Sequence, residues 1–304
     1  MESKRNCYRF YNYVKFALPN PDYAVMQAAA DALGKIVKVG GTVFDDAFME
    51  FEVPSAIELL QSDRQDPGRY AGVLILKALA THNSSVFHPH IPLVFEKLLT
   101  PLRDPRVFVR EATAELLAAC LDIVTHRERT NKTPFLNKIL QDAQAGLKTS
   151  VPETIHGSLL TYRELLLHAG MFMKEVYTET VETILRLRLH KDVLVRKTII
   201  TLIPTLAMYD TQTFSESFMH KAMGHLLEQL SKPAERPSAF IAIGHVATSV
   251  GSEMKKFLEP IMENIKQSLQ MRGYVGSFFL HLPMITHHPA ERRMHLRKSR
   301  SLNA

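Results

Sequence analysis

Tryptophan is absent from the 304 residues, cysteine occurs only twice and glycine only 13 times. Cys7 and Cys120 lie far apart and cannot build a disulfide framework or a four-ligand zinc site, and their small number suits a reducing compartment. No run reaches the roughly 18 apolar residues that cross a bilayer, and the N-terminal stretch lacks the apolar centre of a signal peptide. The scarcity of glycine, beside plentiful Leu, Ala, Glu, Lys and Met, favours long helices over sheets.

Positive charge is concentrated at one end of the sequence. Residues 272–304 hold six basic residues and one acidic residue, so they carry almost all of the net charge of +6. Residues 1–271 are therefore close to neutral, which argues against a nucleic-acid-binding fold, because such a fold spreads Lys and Arg over one face. The residues of 272–304 follow no period, so we predict a separate, disordered basic tail there. A sharper alternative is a basic anchor for acidic membranes or nucleic acid.

An internal repeat is the most informative feature of residues 1–271. A Pro/Asp turn is followed by a short polar start and then by Ala and aliphatic residues at helical spacing. Six equivalent positions are separated by 43, 41, 45, 41 and 40 residues, namely Met26, Arg69, Arg110, Ile155, Arg196 and Arg236. This period is typical of two-helix HEAT or armadillo units and exceeds that of ankyrin and tetratricopeptide units. We predict an all-α solenoid of about six two-helix repeats.

A second amphipathic helix is predicted between each pair of equivalent positions. In the example Phe214–Leu230, apolar residues step by three and four to form one buried stripe. That stripe consists of Phe214, Phe218, Ala222, His225 and Leu226. Proline marks many repeat junctions, whereas Pro54 and Pro204 fall inside predicted helices, where we expect kinks or breaks.

Three arginines recur at equivalent places, near the start of the second helix of a unit. They are Arg69, Arg110 and Arg196, and each can pair in a stack with Asp63, Asp104 or Asp192 at a neighbouring turn. Residues that recur with the repeat usually serve the stacking of the units. We therefore interpret these residues as a structural ladder and not as a binding site.

The residue patterns of enzyme active sites are missing. There is no phosphate-binding or dinucleotide-binding glycine loop, no kinase catalytic signature, no HExxH and no GxSxG. His82, His88 and His90 lie close together in sequence, but nothing beside them completes a metal site. His156 and His245 lie on apolar helices, where we expect partial burial. The sequence predicts no catalytic residue, no cofactor and no metal.

A basic run is the best candidate for a docking surface outside the tail. Its proposed partner-binding residues are Arg186, Arg188, Lys191 and Lys197. A solvated helix face is the plainer interpretation, whereas docking of an acidic partner is the functional one.

Four segments carry a more specific resemblance. They read FYNYVKFALPNPDYAVMQAAADALGKI (Phe10–Ile36), FMEFEVPSAIELL (Phe48–Leu60), IHGSLLTYRELL (Ile155–Leu166) and HKAMGHLLEQLSKPAERPSAFIAIGHVATSVGSEMKKFL (His220–Leu258). In order and spacing they resemble the N-terminal HEAT region of the target-of-rapamycin (TOR) family. Its members are Ser/Thr protein kinases of the phosphatidylinositol-kinase-related class. The resemblance covers about residues 7–271, and it does not extend into 272–304.

The resemblance implies a scaffold that is not itself an enzyme and holds no part of the kinase domain. Residues 1–271 would be a HEAT solenoid truncated at both ends. Its implied partners are a raptor-type subunit, the second copy in a TOR dimer and a Rheb-type GTPase. A cytoplasmic location, with access to endomembrane surfaces through complex partners, is also implied. The alternatives are an adaptor of another pathway, such as a transport receptor or a phosphatase scaffold, and a membrane or nucleic-acid binder that uses the basic tail.

Overall fold

A computed structural model describes residues 2–61, 66–127 and 133–270, which are helical and contain no strand. The chain divides into two compact units. The first comprises residues 1–177 and 190–198, and the second comprises residues 178–189 and 199–304. The predicted tail, 272–304, and Asp63 of the predicted ladder lie outside the described residues.

The first unit is built from helix pairs. Its helices are α1 (Glu2–Ala17), α2 (Tyr23–Gly40), α3 (Asp46–Leu60), α4 (Asp66–His82), α5 (Ser84–Phe87), α6 (Ile91–Lys97), α7 (Leu99–Leu102), α8 (Val107–Arg127), α9 (Thr133–Leu147) and α10 (Pro152–His168). The inner helices α2, α4, α8 and α10 pack on one another in this order. The outer helices α1, α3, α7 and α9 each pack on the inner helix that follows them. One apolar face of every pair is thereby buried against a neighbouring pair.

The second unit holds the later repeats. The remaining helices of the described residues are α11 (Tyr177–Arg186), α12 (Val193–Tyr209), α13 (Thr211–Thr213), α14 (Met219–Gln229), α15 (Arg236–Val250) and α16 (Leu258–Gln270). Tyr177 and the part of α12 up to Thr198 belong to the first unit. Within the second unit α14 packs on α15, and all five residues of the predicted stripe are buried. The prediction of that stripe is confirmed. A π-helical turn at Phe214–Phe218, which the apolar spacing alone does not indicate, joins α13 to α14.

Aspartates cap the N-termini of three helices, α2, α3 and α13. Asp22 accepts a hydrogen bond from the Ala24 N–H at 2.8 Å, and Asp45 accepts one from Phe48 at 3.1 Å. Asp210 likewise accepts from the Thr213 N–H at 3.2 Å. Each carboxylate satisfies a donor that the first turn of a helix leaves unpaired, and its negative charge suits the positive end of the helix dipole.

Two prolines lie inside helices, at positions where a kink or a break is expected. Pro54 lies inside α3 and Pro204 inside α12, and both helices continue through the proline. Neither helix breaks at its proline, and a kink at Pro54 or Pro204 stays a prediction. Gly41 ends α2 with a φ of 49°, a conformation that glycine adopts without steric cost.

A close approach of two backbones fixes the position of α10. Gly157 lies so near the carbonyl oxygen of Leu102 that a methyl group at this position would overlap it. A helix ordinarily disfavours glycine, so a glycine here serves packing and not helix formation.

The first helix is tied to α3 by a buried carboxylate. Glu52 is 2% exposed and accepts a hydrogen bond from the Tyr11 hydroxyl at 2.8 Å. Its Oε1 also lies 2.7 Å from Nζ of Lys15. Because a buried charge is tolerated only when it is paired and hydrogen-bonded, these contacts specify how α1 packs on α3.

The two thiols are expected to differ in reactivity. Cys120 is fully buried in α8 and burial raises the pKa of its thiol, whereas Cys7 is half-buried on α1. Because the thiolate is the reactive form, a thiol reagent should modify one cysteine of the native protein quickly and the second only after unfolding. Counting released chromophore from Ellman's reagent, with and without denaturant, measures this. Two fast equivalents in native protein would contradict the described burial of Cys120.

Candidate partner-binding surface and its supports

Two arginines of the predicted ladder make the same contacts with the turn before their helix. Arg110 donates from Nη1 to the carbonyls of Asp104 and Pro105, six and five residues earlier. Arg196 donates from Nη1 to the carbonyls of His190 and Lys191, also six and five residues earlier, at 2.9 Å each. Each guanidinium thereby closes its own turn, and carbonyls left unpaired there gain charged donors.

Arg69 instead reaches the turn of the next repeat. Its Nε lies 2.6 Å from Oδ2 of Asp104, whose side chain is 2% exposed. Asp104 also accepts from the N–H of Arg106 at 2.8 Å, just as Asp192 accepts from the N–H of Val195 at 3.0 Å. The structure thus brings Arg69 and Asp104 together, whereas Asp192 serves its own helix start.

The contact between Arg110 and His156 joins α8 to α10. Both residues are buried, and Nε of Arg110 donates to Nδ1 of His156 at 3.0 Å. Burial, and then the positive charges of Arg110 and Arg163, lower the pKa of His156 to about 4. His156 is therefore neutral at pH 7 and acts as the acceptor, in agreement with its expected burial. His245 is exposed on α15, so the expectation for that residue is wrong.

A second histidine on α10 has the opposite charge state. Nδ1 of His168 lies 2.9 Å from Oδ1 of Asp122 on α8, and its Nε2 lies 3.5 Å from Oε2 of Glu164. Burial alone would lower the pKa of His168, but the hydrogen bonds with these two carboxylates outweigh burial and raise it to about 9. The sequence contains Asp122, Glu164 and His168 but does not indicate that their side chains lie in contact.

Stability is expected to be greatest near pH 6.5 and to fall on both sides. Because its pKa is raised, His168 contributes about 3 kcal/mol to the free energy of unfolding. This contribution is complete below pH 6.5 and is lost as the pH rises to about 9. Because the pKa of His156 is lowered, its contribution to the free energy of unfolding is complete above pH 6.5 and is lost as the pH falls to about 4. Urea unfolding between pH 4 and pH 9 measures the free energy of unfolding on both sides of pH 6.5, that is, the acid limb and the alkaline limb of the stability profile.

Single variants separate the two limbs of that profile. His168→Gln should flatten the alkaline limb and leave the acid limb, whereas His156→Gln should do the reverse. An alkaline limb that persists in His168→Gln would show that another group causes it.

The structure divides the predicted basic docking residues between the two units. In the second unit Arg186 is exposed and pairs with Glu182 at 3.2 Å, while Arg188 donates to the carbonyl of Leu185 at 2.9 Å. In the first unit Lys191 is exposed and Lys197 is half-buried on α12. Arg186 and Lys191 therefore offer the most accessible charges of the run.

Metal binding and membrane crossing find no support among the described residues. No group of three or more His, Cys, Asp or Glu side chains there could hold a metal ion, and His82, His88 and His90 form no such group. In the same part of the chain, no helix combines the length and the apolar character that crossing a bilayer requires.

Comparison with known proteins finds relatives along most of the chain. No protein-family model matches. Over 264 residues, 87% of this chain, it is 39% identical to the serine/threonine-protein kinase tor1 of Schizosaccharomyces pombe. Over 87% of this chain it is also 36% identical to the serine/threonine-protein kinase TOR of Arabidopsis thaliana. The chain spans only 11% of the length of either relative.

Comparison with solved structures supports the fold. A crystal structure of a Kap121p mutant matches 86% of this chain and 27% of that chain, with a TM-score of 0.61 and 9% sequence identity. At that identity the likeness shows the fold alone. The predicted fold class, an all-α solenoid of HEAT/armadillo type, is confirmed.

Proposed function

Because this chain is homologous to the target-of-rapamycin (TOR) serine/threonine-protein kinases over 87% of its length, we propose that it is a protein-interaction scaffold that contributes to TOR complex assembly and TOR signalling. That homology is the observation that carries the proposal. The chain corresponds to 11% of its relatives and is a non-kinase part of them. Its proposed role is to bind partner proteins. Kinase activity is a property of the full-length TOR relatives and is not proposed for this chain.

The first unit offers surface suited to protein partners. On α1 the side chains of Phe10, Tyr13 and Phe16 are 62%, 60% and 83% exposed. On α3 Phe51 is 73% exposed. Exposed aromatic rings are typical of surfaces that another protein covers, because monomeric proteins rarely leave large apolar patches in water.

The proposed partners are a raptor-type subunit, the second copy in a TOR dimer and a Rheb-type GTPase. No small-molecule substrate or specific nucleic acid is part of the proposal. The basic residues Arg186, Arg188, Lys191 and Lys197 are the proposed contact for an acidic partner surface. The interaction region is residues 1–271, with 272–304 a separate basic segment. The proposed location is the cytoplasm, with endomembrane surfaces reached through complex partners.

Binding of a purified raptor-type subunit from the same organism tests the proposal. Biolayer interferometry should show saturable binding to the chain. Reversal of Arg186, Arg188, Lys191 and Lys197 to Glu should weaken it at least tenfold and reduce its salt dependence. The matched control is Lys255→Glu with Lys256→Glu, which should change affinity less than twofold. Failure of the unmodified chain to bind any of the three proposed partners would overturn the proposal.

A further inference from the structure

The outward side of α3 combines negative charge with an exposed aromatic ring. Glu50, Pro54 and Glu58 are exposed and follow one another at intervals of four residues, so they lie on one side of the helix. Phe51 lies beside them and is 73% exposed. These four residues form the α3 face. The sequence of α3 contains no basic residue, whereas protein surfaces usually intersperse charges of both signs.

The α3 face lies within the stack of helices and not at its end. On one side Glu52 joins α3 to α1, through the hydroxyl of Tyr11 and Nζ of Lys15. On the other sides α3 packs on α4, α5 and α6. The remaining sides of α3 are thereby covered by its own unit, and the α3 face is the side that is left in water.

Neighbouring helices do not neutralise the α3 face. Neither Glu50 nor Glu58 forms an ion pair or a side-chain hydrogen bond with any described residue. The four basic residues of α1 therefore pair with neither of them, and its two lysines pair with other carboxylates. His90 lies in the field of Glu50, but burial lowers its pKa, so it is neutral at pH 7. The two glutamates thus remain as uncompensated negative charges.

Two features of the α3 face do not serve the helix itself. Glu58 lies in the last turn of α3, where a carboxylate meets the negative end of the helix dipole, and no basic residue offsets it there. Pro54 has no N–H, so the carbonyl of Glu50 loses the donor that residue 54 supplies in an uninterrupted helix. The α3 face therefore offers hydrogen-bond acceptors and negative charge at a cost to the helix.

This chemistry matches the side chain of arginine. Its planar guanidinium stacks on aromatic rings and has five N–H donors, which can pair with a carboxylate at the same time. The ammonium of lysine is compact and strongly hydrated, so it gains less from a ring such as Phe51. We propose that the α3 face binds an arginine-bearing basic segment of a partner protein. This inference rests on the proposed scaffold function only in requiring a protein ligand, and its charge is opposite to that of the basic run.

A fluorescein-labelled peptide of alternating arginine and serine is the probe. Its fluorescence anisotropy should rise to saturation on titration with the full chain. Affinity should fall at least about threefold between about 50 mM and about 300 mM NaCl, because salt screens contacts between exposed charges. A peptide of alternating lysine and serine should bind at least about threefold more weakly, and one of alternating glutamate and serine should not bind.

Charge-matched variants locate the binding. Glu50→Gln with Glu58→Gln removes two charges from the α3 face with little change of shape and should weaken binding at least about fivefold. Glu259→Gln with Glu263→Gln removes the same charge from exposed residues of α16, so affinity should change less than about twofold. Phe51→Ala should remove most of the preference for arginine over lysine.

A stability measurement separates binding from a structural role. Because Glu58 opposes the helix dipole, Glu58→Gln should leave the free energy of unfolding unchanged or raise it. Urea unfolding monitored by circular dichroism measures this. A marked loss of stability would assign Glu58 to the support of α3 and would remove the argument for binding.

Three binding results would also overturn the inference. These are no saturable anisotropy change with the arginine peptide, equal binding by the wild type and by the Glu50 and Glu58 double variant, or binding that appears only after Arg292, Arg293 and Arg297 are changed to Ala. The last result would identify the chain's own basic segment as the occupant. None of them bears on raptor-type binding through the basic run, so the two proposals fail separately.

Discussion

Replacing Gly157 with alanine is expected to destabilise the protein by about 3 kcal/mol or more. In most helices this substitution stabilises by up to about 1 kcal/mol, because alanine is the better helix former. At Gly157 the added methyl group would overlap the carbonyl oxygen of Leu102, a backbone atom that cannot rotate away. Overpacking of this kind costs about 1–3 kcal/mol and sometimes more, and here it moves a whole helix. Urea unfolding monitored by circular dichroism gives the change in free energy.

The matched control is Gly244→Ala in α15. A methyl group there meets nothing within 4 Å, so only helix propensity acts and the variant should be equal to or more stable than the wild type. The opposite signs of the two substitutions are the diagnostic result. A neutral effect at Gly157 would mean that α10 and the Leu102 turn lie farther apart than described.

Replacing Arg110 with methionine should lower the free energy of unfolding by about 3–5 kcal/mol. The guanidinium is 2% exposed and donates to two turn carbonyls and to Nδ1 of His156. Methionine retains much of the apolar stem but leaves these three acceptors without a charged donor. Removing one partner from a buried charged network is strongly destabilising.

Arg103→Met serves as the control, since Arg103 is exposed at the end of the same turn and its loss should change stability by less than about 0.5 kcal/mol. A second measurement separates the contact from general damage. Without the nearby guanidinium the pKa of His156 should rise toward its ordinary value, which NMR titration of the imidazole can follow. An unchanged pKa of His156 would show that the two side chains do not interact as described.

The sequence predicts the fold well because its apolar residues follow the helical period and its turns recur every 40 to 45 residues. The stripe of α14 and the partnership of Arg69 with a neighbouring turn both follow from that regularity. The short helices before α8 do not follow from that regularity, because Pro89, Pro92 and Pro101 divide this segment into α5, α6 and α7. The spacing of the apolar side chains predicts that such a segment is helical but does not predict where the helix is interrupted.

Long-range polar contacts that do not recur with the repeat could not be predicted from the sequence. His156 and His245 lie on similar apolar helices, yet one is buried against Arg110 and the other is exposed. The difference depends on which face of each helix a neighbour covers. Arg196 and Lys191 show the same limit, since Arg196 donates to the carbonyls of His190 and Lys191 while the Lys191 side chain is exposed to water.

The turns before Arg110 and Arg196 share a sequence pattern and one hydrogen-bonding scheme. Their sequences, DPRVFVR (Asp104–Arg110) and HKDVLVR (His190–Arg196), share Val, Val and Arg at matching positions, and each arginine donates from Nη1 to carbonyls five and six residues back within its own turn. A bond that closes so short a loop needs no distant part of the chain to form first. Such a turn can be copied along a chain without redesigning what surrounds it, which gives a repeat array a simple way to lengthen by duplication.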